Sequence, residues 1–264
     1  MTTSNYNGLS CAYIVFVFQS NFLFDLKCMR VVLLFIKCKH ETRFYLLDSI
    51  LRARLVYEDP IKLWHDLDRN EYAKVLKDVT KPISLNNGQA FIWTKDDTLY
   101  LTFRGTYDIN DVWTGLEFYQ VKLKDDIFVH DGFHDEFKLL EPMISKFISE
   151  FSTIKTIHIS AHSLGAGVGQ IMAAHYGEKF PDIKVICHTM GCPRTGNLAF
   201  VKWFKKNVKE NYRIVNRYDP VTMIPSSWYC PWLWSSWAHT MDTCIVLDKD
   251  KYYTTQYDLL HPGQ

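Results

Sequence analysis

The chain has 264 residues, 47% hydrophobic and 22% charged, a composition that suits one large globular domain or two small ones and excludes a disordered chain. Its 30 Lys and Arg against 29 Asp and Glu give a formal net charge of +1, which leaves no electrostatic footprint for nucleic acid, so no such partner is expected. Seven cysteines (Cys11, Cys28, Cys38, Cys187, Cys192, Cys230 and Cys244) cannot all pair internally and form no Cys-x-x-Cys, so most are expected as small buried hydrophobes and the compartment stays undecided.

Residues 1–44 are expected to form an apolar segment outside a domain of residues 45–264. The run 11–24 is apolar, but Gln19, Ser20 and Asn21 interrupt it and Asp25 and Lys27 follow. That falls short of the ~20 apolar residues a spanning helix needs. Residues 1–10 lack the Lys or Arg that opens a signal peptide, and the apolar run after Met29-Arg30 is too short for one. A targeting or membrane segment, and a strand or helix laid against the domain, both stay open.

From Phe44 onward Leu46, Leu47, Ile50, Leu51 and Leu55 predict a helix ending near Pro60. Residues 89–103 predict two strands folded about Lys95-Asp96-Asp97 and running into Arg104-Gly105-Thr106. An amphipathic helix is predicted over 136–151 from Phe137, Leu140, Ile144, Phe147 and Phe151, with Pro142 near its start or kinking it. Residues 184–190 predict a buried strand, 198–208 a helix and 212–216 a further strand. Strands alternating with helices from residue 150 onward place the chain in the α/β class with a mostly parallel sheet and helices on both faces.

The chemistry centres on residues 154–174. A β-rich run with Ile154, Ile157 and Ile159 meets Ser163, and a small-residue helix begins at Leu164. Strand, sharp turn at serine and helix is the geometry of a nucleophile elbow. Close approach of strand and helix demands small residues two before and two after the serine. Ala161 and Gly165 supply them, Ala161 standing where glycine is usual. The backbone N–H of Leu164, in the first helical turn, can face a developing oxyanion. A helix start merely packed on a strand is the alternative, because about 0.2 such patterns occur by chance in a chain of this length. Serine catalysis also needs a base and a group to orient it, in the chain order Ser, Asp or Glu, His. Asp219, three residues beyond the predicted strand 212–216, is the natural acid, and His239 and His261 follow it.

The chain here resembles the class 3 (fungal-type) lipases. Five blocks carry the resemblance, in order: Thr102-Phe103-Arg104-Gly105-Thr106; Val129-His130-Asp131-Gly132-Phe133; Ala161 to Gly165; Gly191-Cys192-Pro193-Arg194-Thr195-Gly196-Asn197; and Asn216-Arg217-Tyr218-Asp219-Pro220-Val221 with Pro225. The resemblance implies an α/β-hydrolase fold and an acyl-ester hydrolase without metal or organic cofactor. Carried over by position, Ser163 is the nucleophile, Asp219 the acid, and Thr106 and Leu164 the oxyanion donors. Residues 107–116 are similar to the family's lid, with Trp113 as its apolar face; a surface helix with a tucked tryptophan is the alternative. His261, in Asp258-Leu259-Leu260-His261, fits the catalytic histidine's place, and His239 resembles a structural histidine ahead of a strand at 244–247.

His130 and His134 with Asp131 and Asp135 could in principle ligate a metal, but Gly132 is expected to interrupt the helix such spacing requires. Trp228, Trp232, Trp234 and Trp237 in residues 226–237 suit either an acyl pocket or interface, or ordinary core packing. The implied partner is a lipid ester substrate, with contact to a membrane or lipid-droplet surface. Triacylglycerol-type and phospholipase A1-type activity, a non-lipid esterase such as one for feruloyl esters, and an inactive lipase-like interaction protein all stay open.

Overall fold

The computed structural model describes residues 40–57, 60–64, 76–105, 119–151, 153–225, 237–240, 243–248 and 251–255. In chain order the elements are α1 (His40–Leu55), α2 (Pro60–Trp64), β1 (Ile83–Leu85), β2 (Ala90–Lys95), β3 (Thr98–Phe103), β4 (Gln120–Lys124), β5 (Ile127–His130), α3 (Asp131–Glu150), β6 (Thr156–His162), α4 (Leu164–Lys179), β7 (Lys184–Met190), α5 (Leu198–Asn207), β8 (Glu210–Asn216), β9 (Thr243–Asp248) and β10 (Lys251–Thr255).

Eight strands form one sheet in the order β1-β2-β3-β6-β7-β8-β9-β10. The five from β3 to β9 pair in parallel, and antiparallel hairpins close each edge. The β2–β3 hairpin turns through Asp96, whose φ of 54° lies in the left-handed region that Asp tolerates.

Side-chain alternation splits the core between the two faces. Ile92, Leu101, Ile157, Ile159 and Val185 are buried with α3, α4 and α5. Phe91, Trp93, Met190, Ile214 and Ile245 are buried with α1, through its Leu46, Ile50, Leu51 and Leu55. Each such side chain, fully buried, contributes about 1.5–3 kcal/mol. The α1 face also carries a buried polar seam. Arg52 forks onto Asp48 at 2.7 and 3.1 Å and lies 3.6 Å over the Tyr100 ring. Ser49 Oγ sits 2.8 Å from His158 Nε2 and 2.7 Å from His188 Nδ1.

Two expectations change. The helix predicted from residue 136 begins at Asp131, capped by His130, whose Nδ1 accepts the Gly132 N–H at 3.1 Å. Gly132 therefore lies inside the helix and does not interrupt it. Phe133 joins the buried stripe one turn ahead of Phe137. Pro142 is tolerated in the interior of this 20-residue helix, away from its start. The hairpin β4–β5, not anticipated, supplies the strand that leads into that cap.

Candidate active site

β6 ends at His162 and α4 begins at Leu164, so Ser163 alone makes the turn between them. It does so at φ 54° and ψ −129°, a conformation that costs a residue with a Cβ about 1–3 kcal/mol. Neighbouring backbone holds it there: its N–H donates to Met190 O at the end of β7 (2.9 Å), and its carbonyl accepts the Ala166 N–H (3.0 Å). Leu164, as the first residue of α4, carries an N–H with no acceptor inside the helix.

The packing around the elbow accounts for its small residues. A Cβ on Gly165 would stand 2.4 Å from Arg104 O, and one on Gly105 would stand 2.7 Å from Ser163 Cβ and 2.8 Å from His162 O. The Arg104-Gly105 backbone thus lies directly against the turn. Ala161, in the place where glycine is usual, is fully buried, and Gly169 one helical layer away makes room for its methyl.

Asp219 follows β8 and caps a short 3-10 turn (Pro220–Met223), its Oδ1 accepting the Val221 N–H at 2.9 Å. β6, β7 and β8 run parallel, so Ser163, Gly191 and Asp219 all lie at the carboxyl edge of the sheet. Gly191 has φ +60°, and a Cβ there would fall 2.9 Å from Asp219 Oδ2 and 3.9 Å from His162 Nε2. Its missing side chain is the space Asp219 occupies. Burial pushes Asp219 up to about 6, opposed only in part by the Val221 N–H. The segment beyond it is fixed by the buried Arg194, whose Nη1 donates to Met223 O (2.6 Å) and Pro225 O (2.9 Å).

Two side chains at the site carry no mark in the sequence. Tyr57 Oη accepts the Gly105 N–H at 2.9 Å and lies 2.8 Å from His162 Nδ1. Burial, with a smaller push from Arg54, lowers His162 to about 4, so its ring is neutral at ordinary pH. Tyr57 sits 105 residues from His162, and no local pattern could have announced the contact.

His239 is buried, and its Nε2 donates to Thr222 O at 2.9 Å. Trp237 is also buried, its ring 5.9 Å from that of His130. Thr106, Trp113 with residues 107–116, His261, Trp228, Trp232 and Trp234 lie outside the described residues. Among the described residues no group of His, Cys, Asp or Glu is arranged to hold a metal ion, Cys187 and Cys192 are buried free thiols, and Cys244 is buried. Also among the described residues, no helix is long and apolar enough to cross a membrane.

Comparison with known proteins gives a consistent answer. The family model for lipase (class 3) matches residues 100–228. A lipase of Rhizopus niveus is 26% identical over 161 residues, which cover 58% of this chain and 41% of that protein, so the chain spans about two fifths of that relative's length. The Rhizomucor miehei lipase in complex with its propeptide superposes with a TM-score of 0.69 at 19% identity, covering 84% of this chain and 74% of that one. A triacylglycerol lipase whose catalytic centre is formed by a serine protease triad superposes with a TM-score of 0.66 at 18% identity, over 83% and 86% of the two chains. The shared architecture is the α/β-hydrolase fold, and over residues 100–228 the chain is similar to the class 3 lipase family, as it is to these fungal lipases.

Proposed function

We propose that this protein is a serine ester hydrolase acting on acyl esters of lipids, of triacylglycerol lipase or phospholipase A1 type. The observation that carries the reading is Ser163, held in strained backbone at the tip of the β6–α4 turn with Asp219 at the same edge of the sheet. Packing alone gives no reason to keep a serine at φ 54°; presentation of a nucleophile does.

In this reading Ser163 Oγ attacks the ester carbonyl while His261 takes its proton. Asp219 orients the imidazole and stabilises the imidazolium that forms. The oxyanion is met by the Leu164 N–H, and by Thr106 through its N–H and hydroxyl. The protonated His261 then passes its proton to the departing alcohol, and water, deprotonated by the same ring, releases the acyl group from Ser163. Among the described residues no positive charge offsets the burial that raises Asp219, so an imidazolium formed beside it would lower its pKa and gain stabilisation in return. Trp113 is assigned to a lid that meets the lipid surface.

A fluorophosphonate probe tests the class of activity. Covalent labelling of Ser163 is expected, and an unlabelled folded protein would favour an inactive, lipase-shaped interaction protein instead.

A further inference from the structure

We infer that Tyr57 is a positioning residue for ester hydrolysis: its hydroxyl ties the Gly105 backbone, immediately before the proposed oxyanion donor Thr106, to His162, immediately before the nucleophile Ser163. The inference rests on the reading of Ser163 as nucleophile, and on three independent features of the structure. The Gly105 N–H donates to Tyr57 Oη at 2.9 Å, and the same oxygen lies 2.8 Å from His162 Nδ1. A methyl group on Gly105 would come within 2.9 Å of that oxygen, so the strand exit is clamped between phenol and elbow with no slack. Tyr57 itself follows α1 by two residues, and α1 is fastened to the central strands by the buried Ser49–His158–His188 cluster and by Arg52 over Tyr100.

A backbone N–H can only donate, so Tyr57 Oη accepts from Gly105, and the same oxygen shares one further proton with Nδ1 of the neutral His162, in the direction set by the ring's tautomer. Two adjacent segments that arrive from different strands, β3 and β6, are thereby set at a fixed separation. That separation governs catalysis, because the donor following Gly105 and the oxygen of Ser163 must converge on one carbonyl group, and a displacement of about 1 Å can cost about 10²-fold in rate. The role differs from that of the oxyanion donors: Tyr57 acts through Gly105 and His162 and needs no contact with substrate.

The test is Tyr57→Phe, which keeps the ring and deletes the hydroxyl, assayed on a soluble p-nitrophenyl ester with active serines counted by a fluorophosphonate probe. The expected result is a fall in kcat per titrated serine of about tenfold or more with KM little changed. His162→Leu should show the same fall, the double variant should fall no further, and His162→Asn, whose side-chain amide can stand in for Nδ1 as either donor or acceptor, should recover most of the rate. A kcat per titrated serine in Tyr57→Phe equal to that of the unaltered protein would overturn the inference, whatever the loss of stability, and leave the hydrolase reading intact. An unaltered protein that neither labels nor turns over would remove the hydrolase reading first, and this inference with it.

Discussion

Gly105 and Ser163 are in direct contact across the site: a Cβ on the glycine would lie 2.7 Å from the Cβ of the serine. The end of β3 is therefore built against the turn that carries the proposed nucleophile, and the proposed oxyanion donor Thr106 follows it in the chain. Gly105→Ala is expected to push residues 104–106 off the elbow, with kcat falling about 10²-fold and stability by about 1–3 kcal/mol. Gly132→Ala is the control. A Cβ there meets nothing closer than His130 Nδ1 at 3.4 Å, inside a helix where alanine is the better residue. It should leave kcat unchanged and hold or raise the melting temperature. Equal rates in the two variants would contradict the contact's role.

Acid should unfold this protein early. Burial holds His158 well below the ordinary histidine value and His162 at about 4, and lowers His188 as well, against the opposing pull of Glu210. The unfolded chain then binds protons near pH 6.5 while the folded chain does not, so stability is level above that pH and falls as pH drops towards 4. His162 alone accounts for about 2 kcal/mol at pH 5, at about 1.4 kcal/mol per pH unit. Asp219 works the other way. Raised to about 6, it takes a proton more readily when folded and returns about 1.4 kcal/mol over the unit from pH 6 to 5. With His158 added to His162 the histidines prevail, and the melting temperature should fall by about 5 °C or more between pH 7 and 5. Calorimetry across that range checks it, and a flat profile would contradict the buried neutral histidines.

The roles of the two late histidines can be separated. His239 is buried with its Nε2 committed to Thr222 O, so His239→Ala should cost about 2–3 kcal/mol of stability and leave kcat per folded molecule within a few fold. His261→Ala should reduce kcat by about 10⁴-fold or more in a protein of normal stability. Full activity in a folded His261→Ala protein would hand the base to His239.

Much of the fold was legible because its signals are local. Ile157, Ser163 and the small residues after Leu164 announce a strand, a turn and a helix within a single stretch, and the structure has β6, Ser163 and α4 there. The β2–β3 hairpin and the strands β7 and β8 were equally plain. The start of α3 is hidden in the sequence because His130 lies outside the usual capping residues, and an apolar stripe that begins at Phe137 omits Phe133. The β4–β5 hairpin did leave a trace in alternating Val121, Leu123, Ile127 and Val129 around Asp125, whose φ is 43°. Tyr57 could not have been found this way. Its partners are Gly105 and His162, brought to it only when α1 docks on the finished sheet.

If Trp113 presents an open lid to lipid, Trp113→Ala should lose about tenfold more activity on emulsified triglyceride than on a dissolved short ester, since an exposed indole contributes chiefly at the interface. Parallel rate measurements on the two substrates check this. Equal losses on both would make Trp113 a packing residue.

Ser163→Ala tests the proposed nucleophile most directly. The turn is held by the Ser163 backbone, through its bonds to Met190 and Ala166, so the variant should fold with a melting temperature within a few degrees of the unaltered protein. Steady-state hydrolysis of a short p-nitrophenyl ester, measured on both proteins at pH 8, should fall by about 10⁴-fold or more in the variant. Unchanged turnover in the folded variant would contradict the account at its centre.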